Sequence, residues 1–458
     1  MSILAQFNCA KTAKPQNRKM HWSQLLSTKR LGAERYHSSK RGERTEFHRD
    51  YDRLIFSSPF RRLQNKTQVF PLPGSVFVHN RLTHSLEVSS VGRSLGSDVA
   101  RELIDKHPEL ADSLLSESGA VVSAACLAHD LGNPPFGHSG EKAIATFFSE
   151  GDGLKYKEEM TEAEWEDIVH YEGNANTFRL LTHKFHGRRE GGFALTYSTL
   201  ASVVKYPFPS HMAGTKQKFG FFQSEQSTYE KIAKALGIGR HEDGSYMRHP
   251  FVYLVEAADD ICYEVMDIED AHKLKILNTE ETLSLLLGFF SASAQAKYTD
   301  TLGKIDDANE KVAYMRSCVI GELENACVGI FTDNEEAILN GTFEGSLIQN
   351  LKGELAKGYQ KCVEVSYQKI YFSRDVSGIE LAGYKIISTL IEVFTQAAMT
   401  PQKAYSQLLL SRVSSQYDIT EGTTYQKILG VLDFISGMTD VYALDLFRKI
   451  NGNSIPMI

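Results

Sequence analysis

Four side chains of this chain could bind one divalent cation, although the sequence separates them widely. They are His84, the adjacent pair His129 and Asp130, and Asp259. Two imidazoles and two carboxylates form a hard-to-borderline ligand set that manganese, magnesium, iron and zinc all accept. Such a set leaves coordination positions open for water and for a phosphate oxygen. The four residues therefore predict a metal site that could act on a phosphate, provided that the fold brings them together.

A second pair, His138 and Glu141, follows the Pro-Pro-Phe-Gly sequence at 134–137. An imidazole whose far nitrogen meets a carboxylate fits a general acid or base, or a phosphate contact. A glutamate in the first turn of a helix can also satisfy local amides. That alternative would explain Glu141 but not His138.

A third group lies on one predicted helix. Asp259, Tyr263 and Asp267 are spaced four residues apart, so they follow one slowly turning helix face. One end of that face can hold the metal while Tyr263 and Asp267 face a bound substrate. Asp260 is an alternative ligand, but the helical register that places Tyr263 in the pocket favours Asp259.

Helices must position these groups. Residues 84–100 carry apolar side chains at close to the 3.6-residue period, and 120–131 is a nearly unbroken apolar run that ends at His129 and Asp130. A glycine and two prolines then break that helix and open space for a site. Asp259 lies in a long periodic segment. The predicted helical segments from there onward are 245–275, 278–330, 337–373, 376–399, 401–413 and 424–450.

The predicted fold class is therefore mainly α. Only residues 68–70 and 75–78, which bracket a Pro-Leu-Pro-Gly turn, indicate strands, and they predict a small β-hairpin. We expect a basic N-terminal arm over 1–45, either solvated or in contact with phosphates. A catalytic core over 46–275 follows. A helical region over 276–458 is expected to pack on the core and to complete the pocket or an oligomer interface.

The composition excludes several classes of protein. With 42% hydrophobic and 23% charged residues among 458, and a mean hydropathy of −0.27, the chain is typical of a globular protein. A net charge of −7 gives no overall reason for nucleic-acid binding. Its apolar runs are far shorter than the ~20 residues of a membrane span. Six widely spaced cysteines and an N-terminus without a secretory signal favour a reducing cytoplasm.

The order His, His-Asp, Asp resembles the HD phosphohydrolase superfamily, and longer stretches make the resemblance specific. Together they are similar to the deoxyguanosine triphosphate triphosphohydrolase (dGTPase) family over roughly residues 45–450. The stretches are PFRRLQNKTQVF (59–70), VHNRLTHSLEV (78–88), HDLGNPPFGHSGE (129–141), EGN (172–174), ADDICY (258–263) and SGMTD (436–440).

This resemblance implies an all-α HD domain that hydrolyses a deoxynucleoside triphosphate to the deoxynucleoside and inorganic tripolyphosphate. It implies a divalent metal ion, one per subunit; we expect manganese or magnesium, with iron or zinc as alternatives, although no feature of the sequence selects among them. The positions that match its ligands are His84, His129, Asp130 and Asp259. His138 and Glu141 match a catalytic pair beside the α-phosphate.

The resemblance also implies substrate contacts and an assembly. Matching positions are Gln68 at the nucleoside, Arg81, Lys205 and Lys218 at the triphosphate, and Tyr263 and Asp267 at the sugar. A tyrosine under the deoxyribose can exclude a 2′-hydroxyl. The family usually assembles as a homo-hexamer, and if residues 436–440 reach a neighbouring pocket, activity would depend on that assembly.

Two other functions are compatible with parts of the sequence. Another HD enzyme, such as a 5′-nucleotidase or a cyclic-nucleotide phosphodiesterase, would share the metal ligands without needing Gln68, Tyr263 and the basic pocket. A nucleotide- or single-stranded-DNA-binding regulator is supported only by the basic arm. Base preference, and any effector nucleotide or DNA, are open from the sequence.

Overall fold

The structure is a computed structural model of the chain, and it describes residues 19–35, 44–70, 78–371 and 374–454. Much of the predicted basic arm, residues 1–18 and 36–43, lies outside the described residues. The metal-ligand positions and both lysines predicted to contact phosphate lie inside them.

Twenty α-helices lie within these ranges, and the prediction of a mainly α fold is confirmed. The first eleven are α1 (Trp22–Leu25), α2 (Glu46–Ile55), α3 (Ser58–Arg62), α4 (Arg81–Lys106), α5 (Ser118–Ala128), α6 (His138–Ser149), α7 (Glu162–Val169), α8 (Gly173–Thr182), α9 (Tyr197–Val203), α10 (Gln226–Leu236) and α11 (Pro250–Lys273). The others are α12 (Thr279–Leu287), α13 (Ala292–Leu302), α14 (Ala308–Asp333), α15 (Glu335–Leu339), α16 (Gly353–Val365), α17 (Arg374–Met399), α18 (Ala404–Leu410), α19 (Thr424–Ser436) and α20 (Asp440–Ile450). A π-helix, Ser366–Tyr371, follows α16 directly.

The predicted β-hairpin is not confirmed. Residues 68–70 form bends, and 71–77 lie outside the described part of the chain. One isolated antiparallel bridge joins Thr67 to Asn80, so the two flanks of this loop do approach each other. Of the predicted strand residues, 68–70 and Val78 are described, and none of them lies in a β-ladder.

Helix α5 lies at the centre of the molecule and packs against α2, α4, α9 and α11. It is apolar on all sides, so its burial follows from its sequence. Helix α4 approaches it closely because two glycines face it. A Cβ atom at Gly92 would lie 2.4 Å from the Cys126 sulfur, and one at Gly96 would lie 2.9 Å from the Ser118 carbonyl oxygen. This close crossing places His84 of α4 near the C-terminal end of α5.

Local sequence signals fix the ends of the helices around the site. Asn80 caps α4 in a capping box with Thr83, and Pro250 occupies the first turn of α11. The long predicted segment 278–330 is divided into α12, α13 and α14 because Gly288 and Gly303 end the first two helices.

The hydrophobic side chains form two clusters. The first includes α4, α5, α9, α11 and α14, and the second includes α6, α7, α17, α19 and α20. Buried ion pairs join the two clusters. Arg179 of α8 donates to Asp433 of α19 at 2.9 and 2.7 Å, and to Glu225 at 2.8 Å. Within the described residues, no helix has the length and apolar composition needed to cross a membrane.

We expect the substitution Arg179→Met to lower the free energy of unfolding by about 3–5 kcal/mol, because it leaves Asp433 and Glu225 buried without their cation. Urea denaturation measures this value. The matched control is Arg101→Met, which removes an exposed ion pair with Asp98 and should change stability by about 0–1 kcal/mol. Equal effects of the two substitutions would contradict the proposed role of the buried network.

Candidate active site

Three of the four predicted metal ligands meet at one point. His84 Nε2 lies 3.1 Å from Asp259 Oδ1, and His129 Nε2 lies 3.5 Å from the same oxygen. One donor atom of each residue lies within 4.8 Å of the other two. The three residues come from α4, the C-terminal cap of α5, and α11, which are the helices that cross at the centre of the fold.

The hydrogen bonding of His129 fits a metal ligand. Its Nδ1 donates to the Cys126 carbonyl oxygen at 2.6 Å, so the lone pair of a neutral ring lies on Nε2. That Nε2 is buried and has no hydrogen-bond partner. Buried polar atoms are normally paired, and backbone carbonyls typically orient metal-binding histidines in this way. The residues present therefore fit a divalent cation.

Asp130 lies beside this cluster but is engaged with other side chains. Its Oδ2 accepts from Arg81 Nη1 at 2.6 Å, and its Oδ1 accepts from Asn133 Nδ2 at 2.5 Å. The distance from Oδ2 to His129 Nε2 is 3.6 Å. Asp130 can therefore reach a metal ion only by sharing its carboxylate with Arg81.

The cluster retains its charges despite its burial. Burial would raise the pKa of Asp259, but His129 and His84 hold that pKa well below its usual value. Burial would lower the pKa of His129, but Asp130 and Asp259 raise it to about 9. The arrangement favours positive charge between these carboxylates, whether from a proton or from a metal ion.

His138 and Glu141 form a hydrogen-bonded pair at the start of α6. His138 Nδ1 lies 2.9 Å from Glu141 Oε2, and the other Glu141 oxygen accepts from the Gly173 amide at 2.9 Å. Glu141 is nearly buried, whereas the side chain of His138 is 84% exposed. The hydrogen bond that His138 donates to Glu141 raises the pKa of His138. A solvent-accessible imidazole on a fixed carboxylate can transfer a proton near neutral pH.

The turn before α6 brings this pair close to the metal cluster. Phe136 and Gly137 both have positive φ, at 63° and 57°. A Cβ atom at Gly137 would lie 2.9 Å from Arg81 Nη2, so glycine allows the backbone to approach the arginine. His138, Arg81 and Asp130 therefore surround one space.

That space is a cavity of about 540 Å³, which is within the usual size range of a small-molecule site. Of the predicted site residues, all but His84 and Asp267 line it. Those that do are Gln68, Arg81, His129, Asp130, His138, Glu141, Lys205, Lys218, Asp259 and Tyr263. His84 belongs to the metal cluster but is buried, with its Nε2 turned toward Asp259.

Two lysines on the cavity wall are paired with carboxylates. Lys205 Nζ lies 3.1 Å from Glu256, and Lys218 Nζ lies 2.5 Å from Glu172. Burial would lower the pKa of both ammonium groups, but the neighbouring carboxylates hold both pKa values above the usual value. Both lysines are therefore charged at neutral pH and can exchange a carboxylate for another anion.

Another part of the cavity wall, beside His84, is aromatic. The ring centroid of Tyr263 lies 6.4 Å from that of His84 and 6.1 Å from that of Tyr371. Asp267 lies behind this wall, where it accepts from the Tyr371 hydroxyl at 2.8 Å. Gln68 contributes a buried side-chain oxygen that has no hydrogen-bond partner. Asp267 therefore contacts Tyr371, although the sequence predicted that it faces a substrate.

Several residues of the cavity wall were not predicted from the sequence. Tyr371 ends the π-helix after α16, Ile379 and Glu380 belong to α17, and Phe136 packs against α17 at Gly383. No local pattern marks Tyr371 or Glu380 as functional. Their only signal was the expectation that the C-terminal region completes the pocket.

Comparisons with known proteins agree with this site. Residues 81–235 match the family described as the HD domain, and 353–449 match the phosphohydrolase-associated domain. The chain is 40% identical to a Pseudomonas aeruginosa protein and 36% identical to a Synechocystis protein, over 95% of this chain and 100% of each relative. Both are named deoxyguanosinetriphosphate triphosphohydrolase-like protein.

A more distant relative carries the name without the suffix. The deoxyguanosinetriphosphate triphosphohydrolase of Yersinia enterocolitica is 28% identical over 88% of this chain and 93% of its own length. The matched regions include His84, His129, Asp130 and His138, and the helix α17 that borders the cavity, whereas Asp259 lies between the two matched regions. The chain belongs to the deoxyguanosinetriphosphate triphosphohydrolase family of HD-domain phosphohydrolases.

Proposed function

We propose that this protein hydrolyses deoxynucleoside triphosphates, with dGTP as the first substrate to test, to the deoxynucleoside and inorganic tripolyphosphate. One observation carries the proposal. A single cavity contains donor atoms of the His/Asp cluster, the His138–Glu141 pair and the cations Lys205 and Lys218. The names of the relatives support the same reaction.

The cations favour a triphosphate over a smaller phosphate ester. Arg81, Lys205 and Lys218 all line the cavity, and phosphate oxygens can replace the carboxylates that now hold the two lysines. A 5′-nucleotidase or a phosphodiesterase acts on one phosphate and would not need this extended set of cations. The charges therefore support a substrate with a chain of phosphates.

The products define the bond that breaks. Intact tripolyphosphate leaves only if water attacks the α-phosphorus and the bond from that phosphorus to the sugar 5′-oxygen breaks. The 5′-oxygen must then take up a proton. A divalent cation bound by His84, His129, Asp130 and Asp259, which we propose to be manganese or magnesium, would supply Lewis-acid chemistry when bound.

His138 is the proposed proton-transfer residue. Glu141 fixes one ring nitrogen, and the exposed ring extends into the cavity. The other ring nitrogen can donate to the 5′-oxygen or orient the attacking water. Glu141 acts through His138 because both of its oxygens are occupied by His138 and the Gly173 amide.

We propose that the part of the cavity wall formed by Tyr263 and Tyr371 holds the sugar. Tyr263 and Tyr371 lie close to each other there, and Tyr263 also faces His84. A ring packed under the deoxyribose would exclude a 2′-hydroxyl. Asp267 orients Tyr371 by accepting a hydrogen bond from its hydroxyl group. The side-chain oxygen of Gln68, which has no hydrogen-bond partner, can accept a hydrogen bond from the nucleoside.

Product analysis tests the reaction directly. Purified protein with manganese or magnesium is incubated with each deoxynucleoside triphosphate and with GTP, and the products are separated by ion-exchange chromatography. We expect deoxyguanosine and intact tripolyphosphate from dGTP, and little turnover of GTP. Monophosphate with pyrophosphate would indicate a different HD reaction. Parallel reactions with a second deoxynucleotide or with single-stranded DNA reveal any effector.

Metal binding tests the ligand assignment. The substitutions His129→Ala and Asp259→Ala each remove a donor from the buried cluster, so we expect manganese affinity to fall by at least about 100-fold and turnover to be lost. Manganese titration followed by electron paramagnetic resonance measures the affinity. The control His211→Ala removes an exposed imidazole from a surface turn and should bind manganese normally. Normal binding in His129→Ala would contradict the assignment.

The pH dependence of turnover tests how His138 acts. Because Glu141 raises the pKa of His138, Glu141→Gln should lower that pKa. If His138 is the acid, its protonated form is lost at lower pH, and the alkaline limb of the kcat profile moves to lower pH. If it is the base, the acidic limb moves to lower pH instead.

Two further variants complete this experiment. His138→Ala should lower kcat by about 10²–10⁴-fold while the bound metal stays unchanged. Glu150→Gln, at the exposed C-terminal end of the same helix, should leave both limbs unchanged. Unmoved limbs in Glu141→Gln would exclude His138 as the titrating group.

A further inference from the structure

One buried carboxylate connects two walls of the active-site cavity. Asp440, the first residue of α20, is 3% exposed and does not line the cavity. Its Oδ2 accepts from the Thr67 amide at 2.8 Å, and its Oδ1 accepts from the Phe136 amide at 3.0 Å. Both oxygens therefore hold backbone from distant parts of the chain.

Each of these backbone segments carries a residue of the site. Thr67 directly precedes Gln68, whose side chain borders the cavity with an unpaired oxygen. Phe136 lies two residues before His138 and has a positive φ of 63°, which few residues other than glycine adopt unless they are held there. The Phe136 amide is held by Asp440, and the Phe136 ring is held by α17 at Gly383.

A buried lysine strengthens the same connection. Lys66 is 2% exposed, and its Nζ donates to the Asn133 carbonyl oxygen at 2.6 Å and to the Ser436 carbonyl oxygen at 2.7 Å. Asn133 lies in the turn that leads to His138, and Ser436 ends α19. The segment 436–440 therefore contacts both walls within its own chain.

We propose that Asp440 is a positioning residue that sets the distance between the Gln68 segment and the His138 turn, so that it controls catalytic geometry without touching the substrate. This inference rests on the proposed function. A carboxylate suits the role because each of its oxygens can accept from one amide. An asparagine has one acceptor oxygen, so one of the two amides would face an NH₂ group.

The test compares Asp440→Asn with Asp445→Asn, which alters an exposed carboxylate on the same helix. We expect Asp440→Asn to lower kcat for dGTP by about 10–100-fold, because the His138 turn shifts. Bound manganese should stay at the wild-type level. Asp445→Asn should match the wild type.

A double mutant separates positioning from general damage. In a His138→Ala background there is no imidazole left to misplace, so Asp440→Asn should lower kcat less than it does in the wild type, and only the part that acts through the Gln68 segment should remain. An equal loss in both backgrounds would overturn the proposal, because it would show that Asp440 does not act through His138. If Asp440→Asn does not fold, Asp440→Glu keeps the charge, displaces the carboxylate and is measured in both backgrounds.

Amide hydrogen exchange gives a result that does not depend on activity. The Thr67 and Phe136 amides should exchange faster in Asp440→Asn than in Asp445→Asn, and unchanged exchange would overturn the proposal. A wild-type protein that releases no tripolyphosphate from any deoxynucleotide would refute the proposed function instead. The exchange experiment would then still decide whether Asp440 holds the two segments.

Discussion

The whole structure depends on keeping charged groups together in an otherwise apolar interior. His84, His129 and Asp259 have donor atoms within 4.8 Å of one another, where α4, α5 and α11 cross. Removing an ion from water costs several kcal/mol unless a partner compensates it. The imidazoles and the carboxylate compensate each other, and a divalent cation would do so more completely. The helices must therefore cross at one fixed distance, and the lack of a Cβ atom at Gly92 and Gly96 allows it.

The same constraint explains the surroundings of the cluster. Arg81 neutralises Asp130, and Glu256 and Glu172 neutralise the lysines of the cavity wall. The pocket is therefore built from charges that are already paired and can exchange partners when a polyanion enters. Such preorganisation reduces the reorganisation required during a reaction. The carboxylates also offset the electrostatic repulsion among the cations, so that the cations can share one cavity.

The sequence predicted the parts of this site that are encoded locally. The apolar period of α4, the apolar run of α5 and the four-residue spacing on α11 place His84, His129 and Asp259 correctly on helices. Interactions between distant segments could not be predicted in this way. Asp267 contacts Tyr371 because the π-helix, more than a hundred residues later, covers it. The predicted hairpin is not confirmed, and its turn and most of its second strand lie outside the described residues.

The two hydrophobic clusters meet through polar contacts, and this has a consequence for function. The buried contacts that join the clusters are those of Arg179 with Asp433, of Lys66 with the Ser436 carbonyl oxygen, and of Asp440 with the Thr67 amide. Apolar surfaces tolerate small slips, whereas a buried hydrogen-bond network is satisfied in few arrangements. These hydrogen bonds therefore fix the position of the second cluster relative to the first. The cavity is lined by residues of α4 and α11 from the first cluster and of α17 from the second. The relative position of the two clusters therefore sets the shape of the cavity.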